Sequence, residues 1–386
     1  MHRPPPAAAR GELLTRANLT VLTIVGARPQ FIKAAPVSRA LRATAGVREI
    51  LVHTGQHYDE NMSDVFFDEL EIPRPDHNLG VGSGSHGVQT GRILAALDPL
   101  LQMESPDWVL VYGDTNSTLA GALAASKLHL PVAHVEAGLR SFNRRMPEEI
   151  NRIVADHTSD LLLAPTAAAM ANLRSEGLPE ERMALVGDVM LDAALQFSRI
   201  AETRSTILER LGLSTKGYML ATVHRAENTD DPNRLSTILE GLATAPTSLP
   251  VVLPLHPRTR RSIADTPRAE FHARRIRIIE PLGYLDMVML EKNARLVATD
   301  SGGVQKEAYF FRVPCVTLRE ETEWVELVEL GWNRLAPPHD VETLTRAIQQ
   351  ALAEPPRDAD EPSEPQPYGD GHASEKIRDL LLRGRA

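Results

Sequence analysis

Three carboxylates fall within one short stretch, Glu136, Glu148 and Glu149 of HVEAGLRSFNRRMPEEINR (134–152), interleaved with arginines. Acids set among cations suit proton transfer on an anionic molecule: the arginines meet its charge while a carboxylate takes or returns a proton. The preceding run LPVAHVEA (130–137) reads as a buried parallel strand, and ligands collect at the carboxyl ends of such strands, where Glu136 emerges. A second run, DWVLVYGD (107–114), delivers Asp114 to the same edge. Each acid also has an ordinary reading. Asp114 of GDTNST is placed to cap the next helix, and Pro147-Glu148-Glu149 makes an acidic first turn, a role that suits Glu149 best. Convergence of Asp114, Glu136 and Glu148 on one edge favours catalysis.

Two segments are suited to holding an anion. The turn GARPQFIK (26–33) follows a strand and opens a helix, so its backbone N–H groups and the helix dipole favour a phosphate, with Arg28 and Lys33 adding full charge. In DSGGVQKEA (300–308) a strand ends at Asp300, Ser301 offers a hydroxyl, and Gly302 and Gly303 let a ligand approach the backbone. Glu307 lies about two turns on, within reach of the paired hydroxyls of a sugar. The plain alternatives are a solvated Arg28 and an ordinary N-capped helix. HRAEN (224–228) and HPRTR (256–260) add His224 and His256, either phosphate donors, proton shuttles or structural hydrogen-bonding residues. The turn GARPQFIK is not a GxGxxG fingerprint and no GxxxxGK[ST] loop occurs in the chain; with no HExxH and no close His/Asp cluster, no metal is expected.

The elements that must position these residues follow a regular rhythm. VLTIVG (21–26), REILVH (48–53), DWVLVYG (107–113), PVAHVEA (131–137) and DLLLAP (160–165) alternate with helical stretches such as TLAGALAASKL. A second series begins near residue 183 with MALVGD and continues through YMLATVH, PVVLPLH, IRIIEPL, RLVATD and PCVTLR, separated by DMVMLEKNA and VQKEAYFFR. The pattern predicts an α/β protein of two Rossmann-like, doubly wound halves facing a central cleft. Residues 1–19 are expected to be a flexible tail, 20–187 with 367–386 one domain, and 188–366 the other. The acidic, proline-rich stretch from AEPPRDADEP reads as a linker, and SEKIRDLLL beyond it as an amphipathic helix.

The chain of 386 residues is 42% hydrophobic, enough for two cores. A formal charge of −9 argues against a nucleic-acid surface. The single cysteine, Cys315 in VPCVTL, has no internal disulfide partner and reads as a core residue. No apolar stretch reaches the roughly 20 residues needed to span a bilayer, and the basic, proline-rich start lacks the apolar region of a secretory signal. A cytoplasmic enzyme without membrane or nucleic-acid partners is therefore expected.

GARPQFIK, TGQH (54–57), GDTNST, HVEAGLR, MPEEINR, GDVMLDA (187–193), HRAEN, DSGGVQKEA, REETEW (319–324) and PYGDG (367–371), in this order, resemble the non-hydrolysing UDP-N-acetylglucosamine 2-epimerases from about residue 20 to the C-terminus. The resemblance implies a GT-B-like fold, a C-terminal helix crossing back to the first domain, a cytoplasmic homodimer serving polysaccharide biosynthesis, a UDP-sugar as the bound partner, and no nicotinamide or other cofactor. It implies that Asp114, Glu136 and Glu148 are the catalytic acids, with His224 beside them. It places Arg28, Lys33, His57, Arg140, His256, Ser301, Gly302, Gly303, Glu307 and Arg319 around the substrate. PQFIK, SFNRRMPEE and GDVMLDA are similar to the branch acting on 2,3-diacetamido or uronate UDP-sugars, the alternative to UDP-N-acetylglucosamine itself.

The chemistry explains a need for several acids. The C2 proton of such a sugar is not adjacent to a carbonyl, so its direct removal is prohibitive; breaking the C1–O bond to UDP builds positive character at C1 and acidifies it. The expected course is anti elimination of UDP to a 2-acetamidoglucal and re-addition with inversion at C2, one group taking the proton and another returning it from the opposite face. A glycosyltransferase of the same fold and a non-catalytic UDP-sugar binder are the other classes considered.

Overall fold

The computed structural model describes residues 19–56, 67–244, 249–255, 263, 274–354 and 366–384. His57, His256, residues 1–18 and most of the proline-rich linker lie outside the described residues, whereas Leu19, expected in the tail, is the first residue of a strand.

Seven parallel strands form the first sheet, β1 (Leu19–Val25), β2 (Val47–His53), β3 (His77–Asn78), β4 (Trp108–Tyr112), β5 (Val132–Val135), β6 (Leu161–Ala164) and β7 (Met183–Leu185), in the order β3-β2-β1-β4-β5-β6-β7. The strands read as unbroken apolar runs because both faces are covered, as β1 illustrates. Val21 and Val25 join the core beneath the helix Arg28–Arg42, whereas Leu22 and Ile24 pack with Ile93, Leu97 and Ala120 of the helices on the other face. MALVGD belongs to this sheet, since Met183 pairs in parallel with Leu162 of β6; the second series therefore starts one strand later than its apolar rhythm indicates. β3 and β13 (Asn333–Leu335) escape the sequence reading, being only 2 and 3 residues long with polar members.

The second sheet has six strands, β8 (Met219–Thr222), β9 (Val251–Pro254), β10 (Ile276–Ile279), β11 (Leu296–Thr299), β12 (Cys315–Thr317) and β13, in the order β10-β9-β8-β11-β12-β13. Cys315 is buried in the core of this sheet, where burial pushes its thiol up to about 12. In both sheets the order reverses after the first strand of the series, between β1 and β4 and between β8 and β11. Crevices open at such switch points.

The helix Val189–Arg204 joins the halves. It packs against the helices Arg28–Arg42 and Ala373–Arg383 as well as Tyr284–Asn293 and Gly302–Phe310. One apolar cluster runs through this junction, uniting Phe31 and Leu70 with Phe197, Tyr284, Tyr309 and Tyr368. The C-terminal helix Ala373–Arg383 returns to the first sheet: Ile377 and Leu381 are fully buried, and the Trp108 indole donates to the Leu381 carbonyl at 3.2 Å. No helix among the described residues is long and apolar enough to cross a membrane.

Candidate active site

β5 ends at Val135, and the next residue, Glu136, turns with φ 69°, a left-handed conformation that carries strain for a side chain other than glycine. The turn drives its carboxylate into a pocket of about 390 Å³ between the halves. From the first half, Pro29, Lys33, Gly113, Asp114, Glu136 and Arg152 line it; from the second, Ser301, Gly302, Gly303, Lys306, Glu323 and Trp324 do. Gly113 follows β4 with φ 62°, and a Cβ there would lie 3.2 Å from Glu136 Oε2 and 3.4 Å from Lys33 Nζ. Glycine at this position thus leaves room for the ion pair beside Asp114.

Glu136 is 5% exposed and held by lysines. Lys33 Nζ donates to Oε2, and Lys306 Nζ stands 4.0 Å from Oε1. Burial pulls the Lys33 ammonium down, but Glu136, Asp114 and Asp188 together hold its pKa above the ordinary value. Asp114 pairs with Arg152 at 2.5 Å, and its backbone carbonyl accepts from Asn151 Nδ2 at 2.8 Å. Arg152 and Asn151 belong to the helix Pro147–Thr158, so one helix steadies the Asp114 turn.

Glu148 stands half-buried in the first turn of that helix and is not among the residues lining this pocket. Glu149 faces inward, accepting from Ser141 N and Phe142 N, both at 2.9 Å, and from Arg152 at 2.9 Å. Despite desolvation, these donors lower its pKa. Glu149 therefore organises the loop that follows the strand of Glu136.

Beneath the acids lies a buried charge network. His134 of β5 has an acceptor at each ring nitrogen, the Asp156 carboxylate at 2.7 Å and the Gly113 carbonyl at 2.7 Å. Two acceptors require two ring protons, hence an imidazolium; Asp156 raises the His134 pKa against the opposing effect of burial. Asp156 also takes Arg140 at 2.8 Å. Arg140, which also lines the pocket, binds Asp156, the Leu139 carbonyl and, in a fork with both distances 2.7 Å, Glu176, so its guanidinium braces the wall.

The turn GARPQFIK is tied down from within. Gly26 N and Ala27 N both donate to Gln30 Oε1, at 2.8 and 3.1 Å, so these two groups are committed within the turn and are not a phosphate cradle. Gln30 Nε2 in turn donates to the Tyr112 carbonyl, locking the helix start against β4. Lys33, one turn on, reaches the pocket.

Across the pocket, Ser301 caps the helix Gly302–Phe310 through a long bond from Val304 N, at 3.5 Å. A Cβ built on Gly303 would meet only Ser301 Oγ, at 3.8 Å, so the protein itself does not exclude a side chain there. The helix start faces the cavity with Ser301, Gly302 and Gly303, the geometry that receives an anion. Glu307 is buried, accepts from the Tyr284 hydroxyl at 2.6 Å, and is pushed up to about 7 by desolvation, with Tyr284, Lys306 and Arg28 opposing. Arg28 thus acts electrostatically on a residue of the other half.

His224 follows β8, which ends at Thr222, with its ring largely exposed and 3.2 Å from Asp300, outside the lining of this pocket. Asp300 also accepts from His224 N, Arg225 N and Asn228; against burial, the His224 side chain, Asn228 and Arg225 N lower its pKa. Arg319 is buried and forks onto Glu323 at 2.7 and 3.2 Å. Sequence reasoning missed Arg152, Asp188, Lys306 and Trp324 as parts of the site. Asp188 at a strand end and Lys306 beside Glu307 were the available signals.

Comparison with known proteins gives the same picture. The family model described as UDP-N-acetylglucosamine 2-epimerase matches residues 39–382. A Pseudomonas aeruginosa UDP-2,3-diacetamido-2,3-dideoxy-D-glucuronate 2-epimerase is 50% identical over 95% of this chain and 100% of its own length. The crystal structure of the Methanocaldococcus jannaschii UDP-GlcNAc 2-epimerase in complex with UDP-GlcNAc and UDP is 44% identical, with a TM-score of 0.81 over 95% of this chain and 100% of that one. The Neisseria meningitidis UDP-GlcNAc 2-epimerase bound to UDP-GlcNAc is 30% identical, with a TM-score of 0.82 and the same coverage. With two parallel sheets in the GT-B-like arrangement and a family match across most of its length, the chain belongs to the UDP-N-acetylglucosamine 2-epimerase family of isomerases.

Proposed function

We propose that the enzyme interconverts UDP-N-acetylglucosamine and its C2 epimer by anti elimination and re-addition of UDP. The observation that carries this reading is the pocket itself: Asp114 and Glu136 stand on one wall and the Ser301-Gly302-Gly303 helix start on the other. The helix start holds the diphosphate, and the buried Glu307 takes the ribose. As the C1–O bond breaks, its electron pair leaves with UDP; a carboxylate takes the C2 proton, and the C–H electrons form the C1=C2 bond. Re-addition reverses these steps with the proton delivered to the other face. Asp114, Glu136 and Glu148 share the proton transfers with His224, and Lys33 steadies Glu136.

The glycal must be kept from water. Residues 20–187 with 367–386 act as one body and 188–366 as the other, closing on the substrate. Cytoplasmic UDP-sugar pools and the supply of sugars for envelope polysaccharides fit this chemistry, as does a homodimer.

A second substrate is favoured by one observation. The relative named for a 2,3-diacetamido glucuronate is 50% identical, against 44% for the one crystallised with UDP-GlcNAc. Incubation with each UDP-sugar, followed by NMR of the anomeric protons, separates the two. The new manno-type signal is expected with UDP-GlcNAc; its appearance with the uronate alone moves the assignment to that substrate. Transfer to an acceptor, or binding without epimer, would contradict the proposal.

A further inference from the structure

Glu136 meets two amines, and they come from opposite halves. Lys33 of the helix Arg28–Arg42 takes Oε2, and Lys306 of the helix Gly302–Phe310 stands 4.0 Å from Oε1. Lys306 is 4% exposed, deeper than an ion settles without partners. Its ammonium lies 2.5 Å from Asp188, 4.3 Å from the centre of the Trp324 ring and 5.7 Å from that of Tyr368. Cation–π contact and ion pairing together hold it in place.

Asp188 and Tyr368 are where the chain crosses between the halves. One Asp188 oxygen caps the helix Val189–Arg204 at Met190 N, at 2.8 Å, and the other takes Lys306. Its backbone N–H donates to the Tyr368 carbonyl at 2.9 Å. Lys306 therefore rests on both crossings while its charge faces Glu136. An ammonium that merely neutralised Asp188 would have no need of the pocket, yet Lys306 lines it.

We propose that Lys306 is a positioning residue for C2 proton transfer, fixing one oxygen of Glu136 from the second half while Lys33 fixes the other from the first. The carboxylate is aligned only when the halves are seated together, and Asp188 with Tyr368 registers that seating. This role rests on the proposed epimerisation and on Glu136 as a proton-transfer group.

The test measures deuterium entry at C2 of the UDP-sugar in deuterated water, UDP binding by calorimetry, and thermal stability. Lys306→Met is expected to slow C2 exchange by about 10²-fold, the order expected for a misplaced catalytic group, with UDP affinity nearly unchanged. Because that variant leaves Asp188 without its ammonium, Lys306→Met/Asp188→Asn is made in parallel and carries the test if the single variant does not fold. The double variant is expected to recover stability but not exchange. Wild-type exchange in Lys306→Met, or recovery of exchange along with stability in the double variant, would overturn the inference while leaving the epimerase reading intact. Absence of exchange in the wild-type enzyme would overturn both.

Discussion

The acids of the site divide by what surrounds each. Glu136 has lysines, Asp114 has Arg152, and Glu307 has a phenol, two cations at longer range and a desolvated site. Replacing Asp114, Glu136 or Glu148 by its amide is expected to lower kcat by about 10²–10⁴-fold with UDP affinity nearly constant, as steady-state rates and calorimetry will show. Glu307 makes a separate prediction. Its pKa is raised from 4.5 to about 7, so the folded state holds the proton more tightly than the unfolded chain. The corresponding stability is full below pH 4.5 and is lost as pH rises through about 7. Glu307→Gln should flatten the dependence of Tm on pH across this window and raise Tm at pH 8. Residue by residue, legibility followed locality. The placement of Glu136 and Asp114 at strand ends could be read directly, and Glu149 already suited a helix start. The ion pairs of Arg140 could not be read, because Asp156 and Glu176, which hold it, belong to other segments of the chain.

At the scale of elements, strand ends and helix starts build the site in pairs: the end of β5 with the start of the helix Pro147–Thr158, and the end of β11 with the helix Gly302–Phe310. His134 ties the first pair together by bonding both Asp156 and the Gly113 carbonyl. His134→Leu leaves Asp156 short of a buried cation and is expected to cost about 3–5 kcal/mol in urea unfolding. Gly303 tests the second pair. A methyl group there meets nothing closer than 3.8 Å in the protein, so Gly303→Ala should fold with unchanged Tm yet weaken UDP binding in calorimetry. The strands were legible because buried parallel strands read as continuous apolar runs. The phosphate turn at Gly26 was read for its position alone; the side chain of Gln30, filling the turn, decides its use.

The whole molecule places Asp114 and Glu136 in one half and the proposed helix-start anion site in the other, with the C-terminal helix closing the chain back onto the first sheet. Two halves were legible from the repeated rhythm, but the place of β7 was not, because it looks like the start of the second series and pairs with the first. Lys306 was equally hidden, since only folding brings Asp188, Trp324 and Glu136 around it. The arrangement makes one chemical claim above all, that C2 loses its proton during turnover. The most direct measurement is to run the reaction in deuterated water and examine both the recovered UDP-sugar and its epimer by NMR and mass spectrometry. Deuterium at C2 of both molecules is the predicted result; epimer formed with C2 hydrogen retained would contradict the elimination mechanism.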